Sequence, residues 1–379
     1  LKITGLKTFI VNSGLRNWVF VKLVTDDGIE GIGEAFGTLR DKATEASIHQ
    51  FRHRLIGQDP RNIEFHWQAM YRFSRFPLGT VDMGGLSALE HALWDILGKS
   101  LNVPVWRLLG GRCRDKIKVY THAGGGTPEE LAENTQTVAK RGYKAVKIAP
   151  HPPNYNLLGE NALVRESALR VRAAREAVGE DVDIAVDLHG IAYNASTAIK
   201  IAQVLEPYKP LFLEEPFLYE NIGPLQELKA HTSIPVATGE RLFTRYGFRE
   251  LLERRAVDIV QPDPCVCGGI MECKKIAVMA DAYYIWLAPH NPMSPVATAV
   301  CSHIAASTPN FLILEYIPDD RPPRSEVVKN PLKIEDGYLK IPEKPGLGIE
   351  LNEEVAIKYP YKEVDRRAVF HEDGSVALT

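Results

Sequence analysis

The sequence predicts an α/β fold, a parallel β/α barrel preceded by an α+β unit, and three observations carry that reading. Asp187 in AVDLHG, Glu214 in FLEEP and Glu240 in ATGE each end a short apolar run, 27 and 26 residues apart. About 25 residues is one strand, one helix and two loops, so consecutive parallel strands deliver carboxylates to the same end of a barrel. Eight strand-like segments follow Lys116: KVYTH, AVKIA, DIAVDLH, PLFLEEP, PVATGE, DIVQPD, YIWLAPH and FLILEY. Amphipathic stretches such as PEELAENTQTVAKRG and SALRVRAAREAV lie between most of them, the alternation expected of crossover helices.

Along the chain, KITGLKTFIV, VFVKLVTDD and GIEGIGE read as a three-stranded meander. From Thr44 to Leu109 the pattern is helical; in SALEHALWDILGKSL, Leu89, Leu93, Ile96 and Leu97 share a face, and Gly98 with Val103-Pro104 is expected to end the helix. These boundaries give residues 1–115 as an α+β domain carrying substrate-selecting loops and 116–320 as the barrel. Residues 321–379 form a tail, with a hairpin at LKIEDGYLKIP, that returns to the first domain.

With 379 residues, 45% of them hydrophobic and 25% charged, the chain can build an ordinary core. A net charge of −3 argues against a nucleic-acid-binding or membrane-surface protein. No apolar run is long enough to span a bilayer. The N-terminus reads as a first strand rather than a signal peptide. Five cysteines, an odd and sparse set, fit a reducing cytoplasm, and the Cys265-x-Cys267 pair has no partner at zinc spacing.

Polar residues at barrel strand ends carry the chemistry. They are Lys147 on the second strand, Asp187 and His189 on the third, Glu214 and Glu215 on the fourth and Glu240 on the fifth. Asp263, His290 and Glu315 end the sixth, seventh and eighth. His189 stands two residues after Asp187, a spacing that puts both side chains on one strand face. Asp263 and His290, 27 residues apart, fall on neighbouring strands, where an aspartate can fix an imidazole tautomer and leave its other nitrogen as a base.

In this order, GIGEAFG, ALEHALWDILGK, VPVWRLLGG, D-L-H, E-E-P, G-E, Q-P-D, A-P-H, L-E and KPGLGIEL resemble the enolase superfamily, in its mandelate-racemase-like branch. The resemblance implies a modified (β/α)7β TIM-type barrel with an α+β N-terminal capping domain completed by the C-terminal tail. It implies one Mg²⁺ per subunit on Asp187, Glu214 and Glu240, an Asp263–His290 dyad as base, and Glu315 on the developing enediolate oxygen. Lys147 lies near the substrate carboxylate, and His122 is a further contact. The resemblance implies that the turn at Arg16, Asn17 and Trp18 closes over the barrel mouth, although Trp18 reads equally as a core residue.

Racemases of this branch carry K-x-K on the second strand; this chain reads Lys147-Ile148-Ala149 and has His189 instead. The D-x-H pattern is similar to galactonate-type sugar-acid dehydratases, with departures at Ile191 and Ala149 where substrate hydroxyls would be read. The resemblance therefore implies a cytoplasmic, homo-oligomeric, Mg²⁺-dependent hydro-lyase. Its substrate is a small acid sugar, and neither nucleic acid nor membrane is a partner. A racemase, epimerase or cycloisomerase using His189 and His290 as opposed bases is the alternative. A catalytically weak binding or regulatory member of the fold is a second.

Overall fold

Strands β1 (Ile3–Asn12), β2 (Asn17–Thr25) and β3 (Glu30–Ala35) form an antiparallel sheet in a computed structural model that describes residues 1–73, 75–364 and 368–378. Helices α1 (Asp41–Leu55) and α3 (Thr80–Ser100) pack on it and α2 (Ile63–Tyr71) packs on them, followed by the single turn α4 (Val105–Leu108). The glycines of GIGEAFG are there because sheet and helix touch backbone to backbone. A Cβ on Gly33 would stand 1.9 Å from the Ala88 carbonyl oxygen of α3.

Helix α3 departs from the expectation in two ways. It is buried around most of its circumference, not along one stripe, because β3 covers one side and the barrel the other. Gly98 does not end it. The helix runs on to Ser100, and Gly98 is needed where a Cβ would meet the Gly346 Cα at 2.7 Å.

The barrel strands are β4 (Lys116–His122), β5 (Ala145–Ile148), β6 (Asp183–Asp187) and β7 (Phe212–Glu214). They continue with β8 (Val236–Thr238), β9 (Ile259–Val260), β10 (Trp286–Leu287) and β11 (Leu314–Glu315). Neighbours from β4 to β10 pair in parallel, β11 pairs with β4, and a bridge from Leu287 to Phe311 closes the ring. Between successive strands run α5 (Pro128–Lys140), α6 (Glu160–Val178), α7 (Ala195–Leu205), α8 (Gly223–Ala230), α9 (Thr244–Glu253), α10 (Gly269–Asp281) and α11 (Pro295–Ser307), which gives (β/α)7β. Thr127, Asn194 and Ser294 cap α5, α7 and α11 with their side-chain oxygens, each contact worth about 1 kcal/mol.

Inside the ring lies a separate apolar cluster: Tyr120, Ala145, Ala185, Phe212, Ala237, Ile259, Ala288 and Ile313. Each barrel strand or its immediate flank contributes one residue. Four alanines leave room for two rings, and Tyr120 meets Phe212 edge-on at 6.1 Å. The plug fills the barrel below the residues that carry charge.

The tail makes a detour before it reaches the first domain. The hairpin β13 (Ile334–Glu335) and β14 (Tyr338–Lys340) adds antiparallel to the start of β4, on the barrel. A second ladder joins β12 (Val328–Lys329) to β15 (Glu350–Leu351). Between the hairpin and β15 the tail touches α3, where Gly346 lies against Gly98 and the Leu347 amide donates to Asp95 at 2.8 Å. After β15, α12 (Glu353–Lys358) packs on β1, with Pro360 bridging Val11. Among the described residues no helix is long and apolar enough to cross a membrane. Cys265, Cys267, Cys273 and Cys301 are buried free thiols, so the C-x-C pair is packing.

Candidate active site

The strand register sets charged residues side by side at the C-terminal rim. His122 pairs with Lys147, Asp187 with Glu214, and Tyr120 with Glu315. Glu240, Asp263 and His290 lie two or three residues beyond their strands, in the loops that start there.

Lys147 is the hub. Its Nζ stands 2.6 Å from Glu214, 3.0 Å from Glu315 and 3.4 Å from Asp187. Lys147 and Glu214 are buried, at 6% and 1% exposure. Burial alone would lower the lysine pKa, but the Glu214 and Glu315 carboxylates outweigh it and hold the ammonium well above its ordinary value. Burial raises Glu214 to about 8, against the pull of Lys147, with Asp187, Glu315 and Glu240 adding repulsion. Burial works against Glu315 too, yet Lys147 and His290 hold it well below the ordinary range. Gln261, the glutamine of Q-P-D, donates to the second Glu214 oxygen at 2.9 Å; sequence reading passed over it.

His290 Nδ1 meets Asp263 Oδ2 at 2.8 Å, and its Nε2 points inward, 3.2 Å from Glu240 and 3.9 Å from Glu315. The second Asp263 oxygen accepts the Cys265 amide at 2.7 Å. Burial would lower the His290 pKa, but Glu240, Glu315 and Asp263 raise it to about 10. Phe36, at the end of β3, touches the ring edge-on at 5.9 Å, a contact that links the two ends of the sequence and that no local pattern announces.

His189 is reached by a route other than strand alternation. β6 stops at Asp187, and His189 has a left-handed backbone (φ +51°) with its amide donating to Asp187 Oδ1 at 2.8 Å. Its position is set by Arg241, whose guanidinium bonds Glu215 at 2.9 Å and His189 Nδ1 at 2.9 Å. A guanidinium only donates, so Nδ1 accepts and the neutral ring carries its proton on Nε2. Arg241 follows Glu240 directly, yet nothing in the sequence marked it. Glu215 faces Arg241, Thr238 and the Gly239 amide, the side of β7 away from Glu214.

His122 Nε2 lies 2.6 Å from Glu315, inside the site. The N-terminal turn fares differently. Trp18 is core, 2% exposed. The Asn17 amide is spent on Asp41, Asn12 and the Lys362 carbonyl. Neither presents a free group to a substrate, because both sit on β2 and not in the turn before it. Arg16, half-buried in that turn, reaches Met293 in the loop after His290, with Nη1 3.8 Å from Sδ.

Among the described residues no group of three His, Cys, Asp or Glu side chains stands at metal-holding distance. The chemistry of the donor set nevertheless fits a divalent cation. Asp187, Glu214, Glu240 and Glu315 crowd together, and the Lys147 ammonium lies within 3.4 Å of three of them. Hard carboxylate oxygens in that excess are the ligands Mg²⁺ prefers.

Two family descriptions match the chain: the mandelate racemase/muconate lactonizing enzyme N-terminal domain over residues 6–110, and the enolase C-terminal domain-like family over residues 130–355. D-galactonate dehydratase of Cronobacter sakazakii is 38% identical over 385 aligned residues, covering 100% of both chains. A crystal structure of an enolase from Agrobacterium radiobacter, a candidate galactarate dehydratase holding sodium and L-malate, superposes with a TM-score of 0.95. It is 36% identical, with 100% of each chain covered. A candidate dehydratase from Mesorhizobium loti has a TM-score of 0.89 at 36% identity, covering 96% of this chain and 99% of its own.

Proposed function

Because the chain belongs to the mandelate racemase/muconate lactonizing enzyme family of the enolase superfamily, we propose that it is a hydro-lyase that dehydrates a sugar acid. The observation that carries the reading is the His290–Asp263 pair at 2.8 Å with its free nitrogen turned toward the carboxylates, in a chain 38% identical to a D-galactonate dehydratase end to end. The substrate class is an aldonate such as galactonate, or a relative. The Agrobacterium neighbour holds L-malate, itself a 2-hydroxy acid, the functional-group pattern this reading requires.

Asp187, Glu214 and Glu240 would hold Mg²⁺. When bound, the ion supplies charge stabilisation for an enediolate, which the poorly acidic C2 position needs. The remaining work falls to the chain. Asp263 keeps the His290 proton on Nδ1, so that Nε2 takes the proton from C2. The push that Glu240 exerts on the His290 pKa weakens once that carboxylate has a cation of its own. Lys147, held protonated, faces the substrate carboxylate. The enediolate oxygen would be met by Glu315 carrying a proton shared with His122, because an ionised carboxylate can only accept and would repel it. To serve as the acid, His189 would take up a second proton on Nδ1, releasing its bond to Arg241, so that the Nε2 proton can pass to the departing 3-hydroxyl and leave a neutral ring. The C3–O bond breaks, water leaves, and the enol becomes a 2-keto-3-deoxy acid. Of the N-terminal turn, Arg16, which reaches Met293 in the loop after His290, would be the residue that meets substrate.

The test is a library of aldonates and aldarates incubated with Mg²⁺ and purified protein in D2O. The assay scores 2-keto acid by semicarbazone absorbance and C2 deuteration by NMR. Keto acid from one stereochemical series is expected. Exchange at C2 without keto acid would turn the reading to a racemase or epimerase.

A further inference from the structure

The loop after Asp263 is held largely by the N-terminal domain, with one bond from the barrel, where the Thr244 amide donates to the Cys267 carbonyl at 2.8 Å. The Phe36 amide donates to the Cys265 carbonyl at 3.0 Å. Trp67 Nε1 donates to the Gly268 carbonyl at 2.8 Å, and the Gly268 amide donates to Ser87 Oγ at 3.0 Å. Glu90 accepts the Ile270 and Met271 amides at 2.8 and 2.9 Å, at the start of α10. His91 Nδ1 accepts the Glu34 amide at 3.5 Å, so its proton is on Nε2, which donates to the Pro264 carbonyl at 3.0 Å. His91 is fully buried, and burial pushes it down to about 3, so it is a neutral strut.

Strain or slack in this loop reaches the base directly. Asp263 is the loop's first residue, and one of its carboxylate oxygens is bound to the Cys265 amide inside the loop. The other oxygen is bound to His290. Pro264, whose carbonyl His91 holds, is bonded directly to Asp263, and Phe36, whose ring bears on His290, is the residue whose amide holds the Cys265 carbonyl.

We propose that the polar face of α3, with Trp67, is a clamp that sets the Asp263–His290 geometry, and that His91 and Trp67 are positioning residues for that pair. The inference rests on the proposed function for what the pair does, but not for the clamp itself. The N-terminal domain then does more than shape the mouth of the barrel. It holds the base in register, and the barrel alone has no competent dyad.

The experiment uses the full-length protein with ¹⁵N-labelled histidine. The proton bridging His290 Nδ1 and Asp263 is assigned by its loss in His290→Asn. Trp67→Phe keeps the ring and removes one bond of the clamp; His91→Leu removes the strut; His91→Gln restores a donor toward Pro264. The bridging resonance is expected to move in Trp67→Phe and His91→Leu and to return toward wild type in His91→Gln. With a substrate identified as above, kcat should fall about tenfold or more at a KM within about twofold, and His91→Gln should recover most of the loss. An unmoved resonance in both variants, or a kcat within about twofold of wild type, overturns the clamp. So does a loss that follows the thermal midpoint alone and is not rescued by glutamine. A resonance that moves in a protein with no dehydratase activity supports the clamp and defeats only the reading of the reaction.

Discussion

Replacing Asp263 by Asn tests the base at the point where geometry decides the outcome. Asp263 Oδ1 accepts the Cys265 amide at 2.7 Å, so the asparagine carbonyl takes that place. Its NH2 then faces His290 Nδ1, where Oδ2 now stands at 2.8 Å. Nδ1 becomes an acceptor, the ring proton moves to Nε2, and the nitrogen facing C2 can no longer take a proton. Flipping the amide would set N–H against N–H in a buried site, at a cost of about 1–3 kcal/mol. Losing the carboxylate as partner of the imidazolium costs a further ~1.5–3 kcal/mol. Together these give about 2.5–6 kcal/mol, a fall of roughly 10²–10⁴ in the rate of proton removal. The rate is read from C2 deuterium exchange by NMR at saturating substrate, with KM little changed because Asp263 does not touch substrate. A variant that is folded and retains more than about a tenth of the exchange rate would refute the tautomer argument.

His189→Asn should abolish keto acid formation while C2 exchange continues, since the two proton transfers use different groups; full dehydration in the variant removes His189 from the role. Mg²⁺ at about 100 times its Kd should add ~2.7 kcal/mol of stability, seen as a rise in Tm, and Asp187→Asn or Glu240→Gln should erase the rise; an undiminished shift in both would move the metal elsewhere. Burial raises Glu90 to about 8, so the stability it contributes is full below the unfolded value near 4.5 and is lost as pH climbs through 8. Because helix-start amides favour its charged form, we expect that loss to be on the order of 1–3 kcal/mol in urea titrations between pH 5 and 9. Glu90→Gln should flatten the slope, and an unchanged slope would assign the pH dependence to other groups.

What the sequence made legible was whatever is encoded within one β/α unit. Asp187, Glu214 and Glu315 sit on strands ended by apolar runs, and the spacing of Asp263 and His290 matched adjacent strands. Misreadings came where distant chain segments decide local conformation. Gly98 looked like a helix stop because its partner, Gly346, is 248 positions away. Asn17 looked like a turn residue, but β2 begins there and draws it inward; Trp18 reads equally as turn or core, and the strand settles it as core. His189 came to the rim for a reason other than period-two alternation, since its backbone turns left-handed and Arg241 holds the ring. Gln261 and Phe36 lie in Q-P-D and GIGEAFG and Arg241 follows Glu240, but those motifs do not say what the side chains touch; the closed ring and the docked domain bring them to the carboxylates and to His290.

The plug of Tyr120, Phe212 and four alanines has a consequence for traffic. A filled floor closes the barrel's inner end, so reactant, product and the released water molecule would share the rim above it as their doorway. Turnover on this scaffold is therefore open to being limited by clearance of the doorway, and a viscogen that slows kcat without altering C2 exchange in the bound state would reveal it.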